Sequence, residues 1–413
     1  MSPEEQRAFG ARVAQLRKSR GMRQDQLAAA VNRTASWVSQ VERGIQPVVR
    51  LDVLQLLADG LGVSVQTLRP DAPSPSRSTS ATSDRVNDLD LVRLSLSGHP
   101  ALDAVLDEHP AAAAPDVTQL ATAVAELWHL THNARFAELS TAVAETLPRL
   151  ESAARTASPE KRSELQLLLS QAYQAVAAAF VRQDEADAAW VAADRAIRAA
   201  EQSGQPLQVF AGIYRLAHAF VRLRRLDQAE HAAGKGVTAL RTHISAAGPP
   251  SPEALSVLGS LHLVLALAAA RAGQREQTRK ELADAREVAA LLGEDRNDFN
   301  LEFGPTNVEI QAVSAAIDLG DAGEALDLGQ QIDAGQLSPE RRSRLLVDLG
   351  RAHAQRRHLG EAVDCLLRAE ELAPESVRAH LAARSAIREL VLLAGRSAPP
   401  ELVKLAKRAN AAE

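Results

Sequence analysis

Residues Arg23–Gly44 read RQDQLAAAVNRTASWVSQVERG, and the spacing of their apolar side chains decides the fold of the N-terminal part of the chain. Leu27, Ala28 and Val31 recur at helical spacing across Gln24–Val31, and Val38 and Val41 lie three apart in Thr34–Glu42. Asn32 and Arg33 stand between the two runs, and Asn tolerates the left-handed backbone that a sharp turn needs. Thr34 is placed to cap the second run by accepting from a backbone N–H two or three residues on. Gly44 follows its last apolar residue, where a positive φ is usual. The stretch is expected to form two short helices joined by a tight turn.

The flanks extend this pattern. Phe9, Val13 and Leu16 share one face of Phe9–Arg20, with Arg12, Arg17, Lys18 and Arg20 read as lying outside it. Leu51–Leu61 and Val63–Leu68 supply two more amphipathic helices, separated at the Leu61-Gly62-Val63 corner. Five short helices around one apolar centre, with QLA in the second and SQVERG ending the third, resemble the XRE family of helix-turn-helix DNA-binding domains over Phe9 to about Leu68. That resemblance implies that the third helix enters the major groove of double-stranded DNA. It further implies that Gln24 holds a phosphate, that Ala35, Ser36, Trp37 and Gln40 face the groove, and that Arg43 reaches the backbone. Arg33 and Thr34, at the turn, complete the expected DNA-binding set. Gln40 is the expected base reader, since its amide can pair with adenine N6 and N7. Two departures from the family pattern, Asn32 at the usual glycine and bulky Trp37 beside small Ala35 and Ser36, leave the base preference open. Trp37 itself has two readings: against a thymine methyl, or folded back onto the second helix as core.

Composition separates this end from the rest. The 413 residues carry a formal net charge of −5, yet Met1–Pro70 holds ten Lys/Arg and six Asp/Glu, a net of +4, so the remainder carries −9. The basic end suits a polyanion and the acidic remainder does not. Aromatic residues are only 3% of a chain that is 46% hydrophobic, so the core must be built of Ala, Leu and Val, which favours close-packed helices over sheets. The fold class is therefore all-α. One cysteine, Cys365, excludes an internal disulfide or a cysteine zinc site and reads as a buried thiol. The N-terminus has no apolar signal core, and the longest apolar run, Leu263–Ala270, falls short of the roughly 18 residues that a membrane span needs. These features lead to the expectation of a cytoplasmic protein with no membrane partner.

Beyond Pro70, PDAPSPSRSTSATSD reads as a flexible tether over 71–85, with a short helix in HPALDAVLDEHP after it. The remainder, 86–413, is expected to form one repeat domain. A helix, a polar turn and a second helix with small residues recur there, most clearly in SRLLVDLGRAHAQRRHLGEAVDCLLRAEELAP. Leu349-Gly350, Ala362, Ala369 and Pro374 fall there at the spacings of a tetratricopeptide repeat (TPR). Equivalent positions Ala189, Ala229, Thr278, Ala325 and Ala362 are 40, 49, 47 and 37 residues apart, a stretched period. The arrangement resembles the XRE–TPR regulators of high-GC Gram-positive bacteria, and implies stacked hairpins with a concave face. Laying the TPR template on the copies puts Gln171, Gln174, Tyr214, His218, Asn307, Gln311 and Arg351 on or near that face, and Arg215, next to Tyr214, joins the expected ligand-binding set. Arg182, Arg222 and Arg271 fall at the last turn of three consecutive first helices. A row of guanidiniums suits a peptide carboxylate or another anionic effector, although cations at a helix C-terminus also offset its dipole.

No phosphate-binding glycine loop, HExxH or GxSxG occurs. His129 and His132 lack a carboxylate-rich partner segment, so no metal or other cofactor, and no enzymatic activity, is expected. Three functions fit: a transcription regulator with a peptide or small-molecule effector or a protein partner; a repeat scaffold that the helix-turn-helix tethers to DNA; and a plasmid-maintenance factor, which the long repeat region disfavours. A regulator of this type is expected to act as a homodimer on a palindromic operator.

Overall fold

An Ala/Leu/Val core predicts helices, and among the described residues every element is helical apart from the isolated bridge between Arg296 and Phe303. The computed structural model describes residues 3–31, 35–46, 48, 51–61, 63, 65–68, 89–97 and 116–411. The chain divides into two units, Met1–Ser83 together with Ala382–Glu413, and Asp84–Leu381. The second unit thus ends before the expected repeat domain, 86–413, does. The expected tether at 71–85, the helix in HPALDAVLDEHP, and the turn residues Asn32, Arg33 and Thr34 lie outside the described residues.

The N-terminal part contains α1 (Pro3–Ser19), α2 (Gln24–Ala30), α3 (Ala35–Glu42), α4 (Leu51–Leu61) and α5 (Val65–Leu68). Phe9, Val13, Leu27, Val31, Val38, Val41, Leu54, Leu57, Leu61 and Leu68 form its core, the residues whose spacing predicted it. Gly10 lets α1 approach the end of α3 closely: a Cβ there would stand 2.6 Å from the Glu42 carbonyl oxygen. Gly44 ends α3 with φ +70°, as its position predicts, and its N–H donates to Val41 O at 2.9 Å.

Arg17 corrects the sequence reading, which placed it outside the apolar face. It is 8% exposed. Its Nε donates to Glu42 Oε1 at 2.5 Å, its Nη2 to Oε2 at 3.1 Å, and its Nη1 to Met22 O at 2.7 Å. Gln24 Nε2 donates to the same Glu42 carboxylate at 2.7 Å. One buried carboxylate thus ties α1, α2 and α3 together. Burial opposes ionisation of Glu42, but the bonds from Arg17 and Gln24 outweigh it and hold the carboxyl below its ordinary pKa.

The second unit opens with α6 (Asp90–Ser97), which buries Val92 and Leu96 and anchors through Arg93 to Glu185 (2.9 Å) and to Asp187. Six antiparallel hairpins follow: α7/α8 (Val117–His132, Phe136–Thr156), α9/α10 (Pro159–Arg182, Ala186–Ser203), α11/α12 (Pro206–Arg222, Leu226–Ala247), α13/α14 (Pro252–Arg271, Arg275–Leu292), α15/α16 (Pro305–Leu319, Ala322–Gln330) and α17/α18 (Pro339–Gln355, Leu359–Leu372). Each turns in the same way. A left-handed residue (Ala134, Asp184, Arg224, Gly273, Gly320, Arg357) is followed by an N–H that donates to the carbonyl five residues back, at 2.8–3.0 Å. This is the helix-terminating bond of a Schellman turn. Only two of the six left-handed residues are glycine, so the repeat is marked by geometry more than by residue type.

Small residues sit where the helices cross. Ala189, Ala193 and Ala196 are fully buried on α10, and Gly212 of α11 lies against Ile197 so closely that a Cβ would stand 2.7 Å from its side chain. Gly259 of α13 leaves room for the Phe303 ring, which a methyl group there would overlap. α13 is long and apolar enough to cross a membrane, but 89% of its apolar window is buried within the unit, as in a core helix. Cys365 is buried on α18, and burial raises its thiol pKa.

After α18, α19 (Pro374–Ala379) brings the stack back towards its own beginning. The Phe136 N–H donates to Glu375 Oε2 at 3.3 Å, and Arg182 of α9 lies 3.8 Å from Glu340 of α17. The chain ends in α20 (Leu381–Ala394) and α21 (Pro400–Arg408). Arg384 and Arg388 of α20 both donate to Asn410 O, at 3.2 and 3.4 Å, and Leu402, Leu405 and Ala406 of α21 are buried.

Candidate functional site

On α3, Val38 and Val41 point into the core, which leaves Ala35, Ser36, Ser39, Gln40 and Arg43 along the opposite face. Ala35, Ser36 and Arg43 are exposed, and Ser39 and Gln40 are half-buried. Arg43 Nε donates to Ser39 O at 3.3 Å and stays exposed at the end of the helix. Trp37 is half-buried and packs against the core, so it borders this face instead of standing on it. Ser39 takes its place on the outer stripe, a residue that the sequence reading missed although its spacing from Ala35 and Arg43 would have found it. Gln24 was expected to hold a phosphate; its side-chain amide is instead engaged with Glu42. Arg33 and Thr34 lie outside the described residues.

Residues 8–71 match a family described as a helix-turn-helix domain. The helix-turn-helix pair is α2 and α3, with α3 presenting the outer stripe. No curated protein matches the chain in sequence. Among solved structures, PlcR of Bacillus thuringiensis, crystallised in complex with the peptide PapR7 and DNA, is similar at 16% identity and a TM-score of 0.38, covering 85% of this chain and 98% of that one. The helix-turn-helix domain is joined here to an all-α, TPR-like hairpin stack.

Inside that stack, the first helices of the hairpins bring most of the expected groove residues together. On α11, Tyr214 and His218 lie edge to face with ring centroids 4.6 Å apart. The Arg215 guanidinium lies over Trp128 of α7 and over Tyr214, at 5.1 and 5.2 Å, and donates to Asn300 O at 2.7 Å. That carbonyl belongs to a loop between α14 and α15 in which Phe299, Asn300 and Glu302 all have positive φ. Arg271 of α13 donates to Asp318 Oδ2 at 3.2 Å, and Arg351 of α17 to Asp318 Oδ1 at 2.8 Å and Asp348 Oδ1 at 2.9 Å. Arg271 and Arg351 are therefore neutralised. Arg222 Nη2 lies 3.3 Å from His380 Nε2.

The cluster also contains residues that the template did not supply. Arg344 of α17 is exposed, and together with Arg215, Arg222 and Arg271 it acts on His218. Burial first, and then these guanidiniums for His218 and Arg222, Arg344, Arg351 and Arg271 for His380, push both well below the ordinary imidazole pKa, so both are neutral at pH 7. Burial likewise lowers Arg215 and Arg222 to about 10, with Arg271 adding repulsion on Arg222. Glu340 is held ionised because Arg182, Arg344 and Arg341 outweigh its burial. Arg341 in turn lies 3.7 Å from Glu302. Among the described residues, seven arginines (182, 215, 222, 271, 341, 344 and 351) thus meet five carboxylates (Asp184, Glu302, Asp318, Glu340 and Asp348), a surplus of two positive charges.

Four expected groove residues are not part of this cluster: Gln171, half-buried on α9, and Gln174, Asn307 and Gln311. Gln174 is buried and donates to Gln208 Oε1 at 2.9 Å, between α9 and α11. Asn307 is buried on α15 and Gln311 half-buried, with no described contact to the arginines. A separate cluster of His262, Glu281 and Asp284 has its candidate ligand atoms within 4.8 Å of one another. Arg241 can only donate to His262 Nε2 (3.1 Å), so Nδ1 carries the proton and donates to Glu281 at 2.7 Å. With Gln277 donating to Glu281 and Lys280 beside both carboxylates, this network is closed and balanced in charge.

Proposed function

We propose that this chain is a sequence-specific DNA-binding transcription regulator of the XRE type, acting as a homodimer on a palindromic operator. The observation that carries this reading is the division of α3. Its inner face is locked into the core by Val38 and Val41, while Ala35, Ser36, Ser39, Gln40 and Arg43 form a free stripe with no large apolar side chain. A helix held in that way can present its outer stripe to base edges without unfolding the domain. The net charge of +4 over Met1–Pro70 supports the phosphate attraction that such docking needs. Gln40 is the proposed base reader and Arg43 a backbone contact.

In this reading the hairpin stack is the sensor. Tyr214, Arg215, His218 and Arg222, with Arg271 and Arg351 behind them, line the groove for a peptide or small-molecule effector or a protein partner. A partly buried surplus of like charge costs stability, and such compromises are characteristic of functional sites. A genome-wide DNA-binding profile of the full chain tests the proposal. Enrichment of a palindrome near promoters, lost in Gln40→Ala and Arg43→Ala, is the expected result; unenriched, sequence-independent binding would overturn it.

A further inference from the structure

Three guanidiniums of the groove have no carboxylate within salt-bridge reach among the described residues: Arg215, Arg222 and Arg344. Their neighbours compensate them only in part. Arg222 faces a neutral imidazole, and Arg344 shares Glu340 and Asp348 with Arg182 and Arg351.

A second observation points the same way. Trp128 Nε1, Arg215 Nε and His380 Nδ1 are buried and have no hydrogen-bond partner in the protein. All three are donors. This follows from chemistry for Trp and Arg, and for His380 from Arg222, which can only donate to Nε2 and so leaves the proton on Nδ1. A buried donor left unmatched is costly, and three on one wall of one groove call for acceptors. Trp128 is 7% exposed and lies beneath Arg215, while Arg215, His218 and Arg222 follow one another along roughly 10 Å of α11. The wall offers positive charge and N–H groups.

We propose that this groove is a binding site for a small dianionic oxyanion, of the phosphate or dicarboxylate class, gripped by Arg222 and Arg344 and met by the free N–H groups of Trp128, Arg215 and His380. The proposal rests on the reading of the groove as the effector site and narrows its ligand: two negative charges match the surplus of two positive ones. Arg271 and Arg351 are excluded from the grip because Asp318 holds both. A neutral peptide segment would leave the arginines uncompensated.

The test uses the full chain without DNA. Thermal unfolding is followed in sodium chloride, inorganic phosphate or glutarate at equal ionic strength, and the two dianions are titrated by calorimetry. At least one dianion is expected to bind and to raise the melting temperature above that in chloride; phosphate or glutarate as the better arm assigns the class. Arg222→Gln and Arg344→Gln are each expected to weaken binding about tenfold or more, the scale of one charge-assisted hydrogen bond. In free protein Arg222→Gln is expected to melt no lower than the parent, because burial and the neighbouring Arg271 and Arg344 disfavour its charge; a purely structural arginine would give the opposite. Binding of neither dianion, equal binding by parent and variants, or a lower melting temperature of free Arg222→Gln would overturn the proposal. Gel-shift binding to duplex DNA by the same preparations reports on the regulator reading separately, since it does not require an occupied groove.

Discussion

Removing the Glu42 carboxylate by Glu42→Ala is expected to loosen the helix-turn-helix domain while leaving the hairpin stack intact. Arg17 and Glu42 side chains are 9% and 7% exposed and meet in a two-point contact at 2.5 and 3.1 Å, with Gln24 as a third partner. Truncating one side of a buried pair leaves the other charge desolvated and costs about 3–5 kcal/mol. A unit of this size has roughly 4–10 kcal/mol of stability in all, so the variant domain should open often. Amide exchange read by mass spectrometry on the full chain should show protection in α1–α3 falling about 100-fold or more, with α9–α14 unchanged. The double variant Arg17→Met/Glu42→Leu, which removes both charges, should recover most of the loss. Because Glu42 has a depressed pKa in the folded state, protonation favours the unfolded chain. Its contribution is therefore present at neutral pH and fades as pH falls through the acidic range below its ordinary value. Unchanged exchange in α1–α3 of Glu42→Ala, or a double variant no better than the single one, would refute the reasoning.

The remaining predictions follow from close contacts and backbone geometry. Gly10→Ala pushes a methyl against the carbonyls ending α3 and should cost about 1–3 kcal/mol, read as a loss of protection confined to the N-terminal helices. Gly259→Ala forces the Phe303 ring from its place and should lower the melting temperature of the hairpin stack, with duplex binding by the helix-turn-helix domain retained. Arg224→Gly relieves a left-handed residue at φ +58° in an exposed turn and should raise stability by about 1 kcal/mol, measured by denaturant unfolding.

The outline of both units was legible because it rests on local periodicity. Leu27, Val31, Val38 and Val41 announced the helix-turn-helix core, and the buried alanines of α10 announced the hairpin crossings. Arg17 was misread because apolar spacing cannot see that a carboxylate 25 residues away will bury a guanidinium. Trp37 has two readings, and its partial burial against the core favours the one in which it lies beside the outer stripe. In the groove, the template found Tyr214, His218 and Arg222 because they follow one helix face. It missed Arg344 and His380, which reach that face only because the last hairpins return to the first. That closure is a sum of small rotations between hairpins of unequal length, and no single repeat encodes it. Template position also could not tell which arginines are free; Asp318, on a neighbouring helix, neutralises Arg271 and Arg351.

The central claim, that the outer stripe of α3 reads base sequence, is tested most directly by selection from random duplexes with the full chain and its Gln40→Ala and Arg43→Ala variants at two salt concentrations. The account predicts one enriched palindrome for the parent chain. Gln40→Ala should lose about 1–3 kcal/mol of discrimination at one base pair of each half-site. Arg43→Ala should bind all sequences more weakly, with a shallower dependence on salt. No enriched sequence, or an enriched sequence that Gln40→Ala selects unchanged, would contradict it.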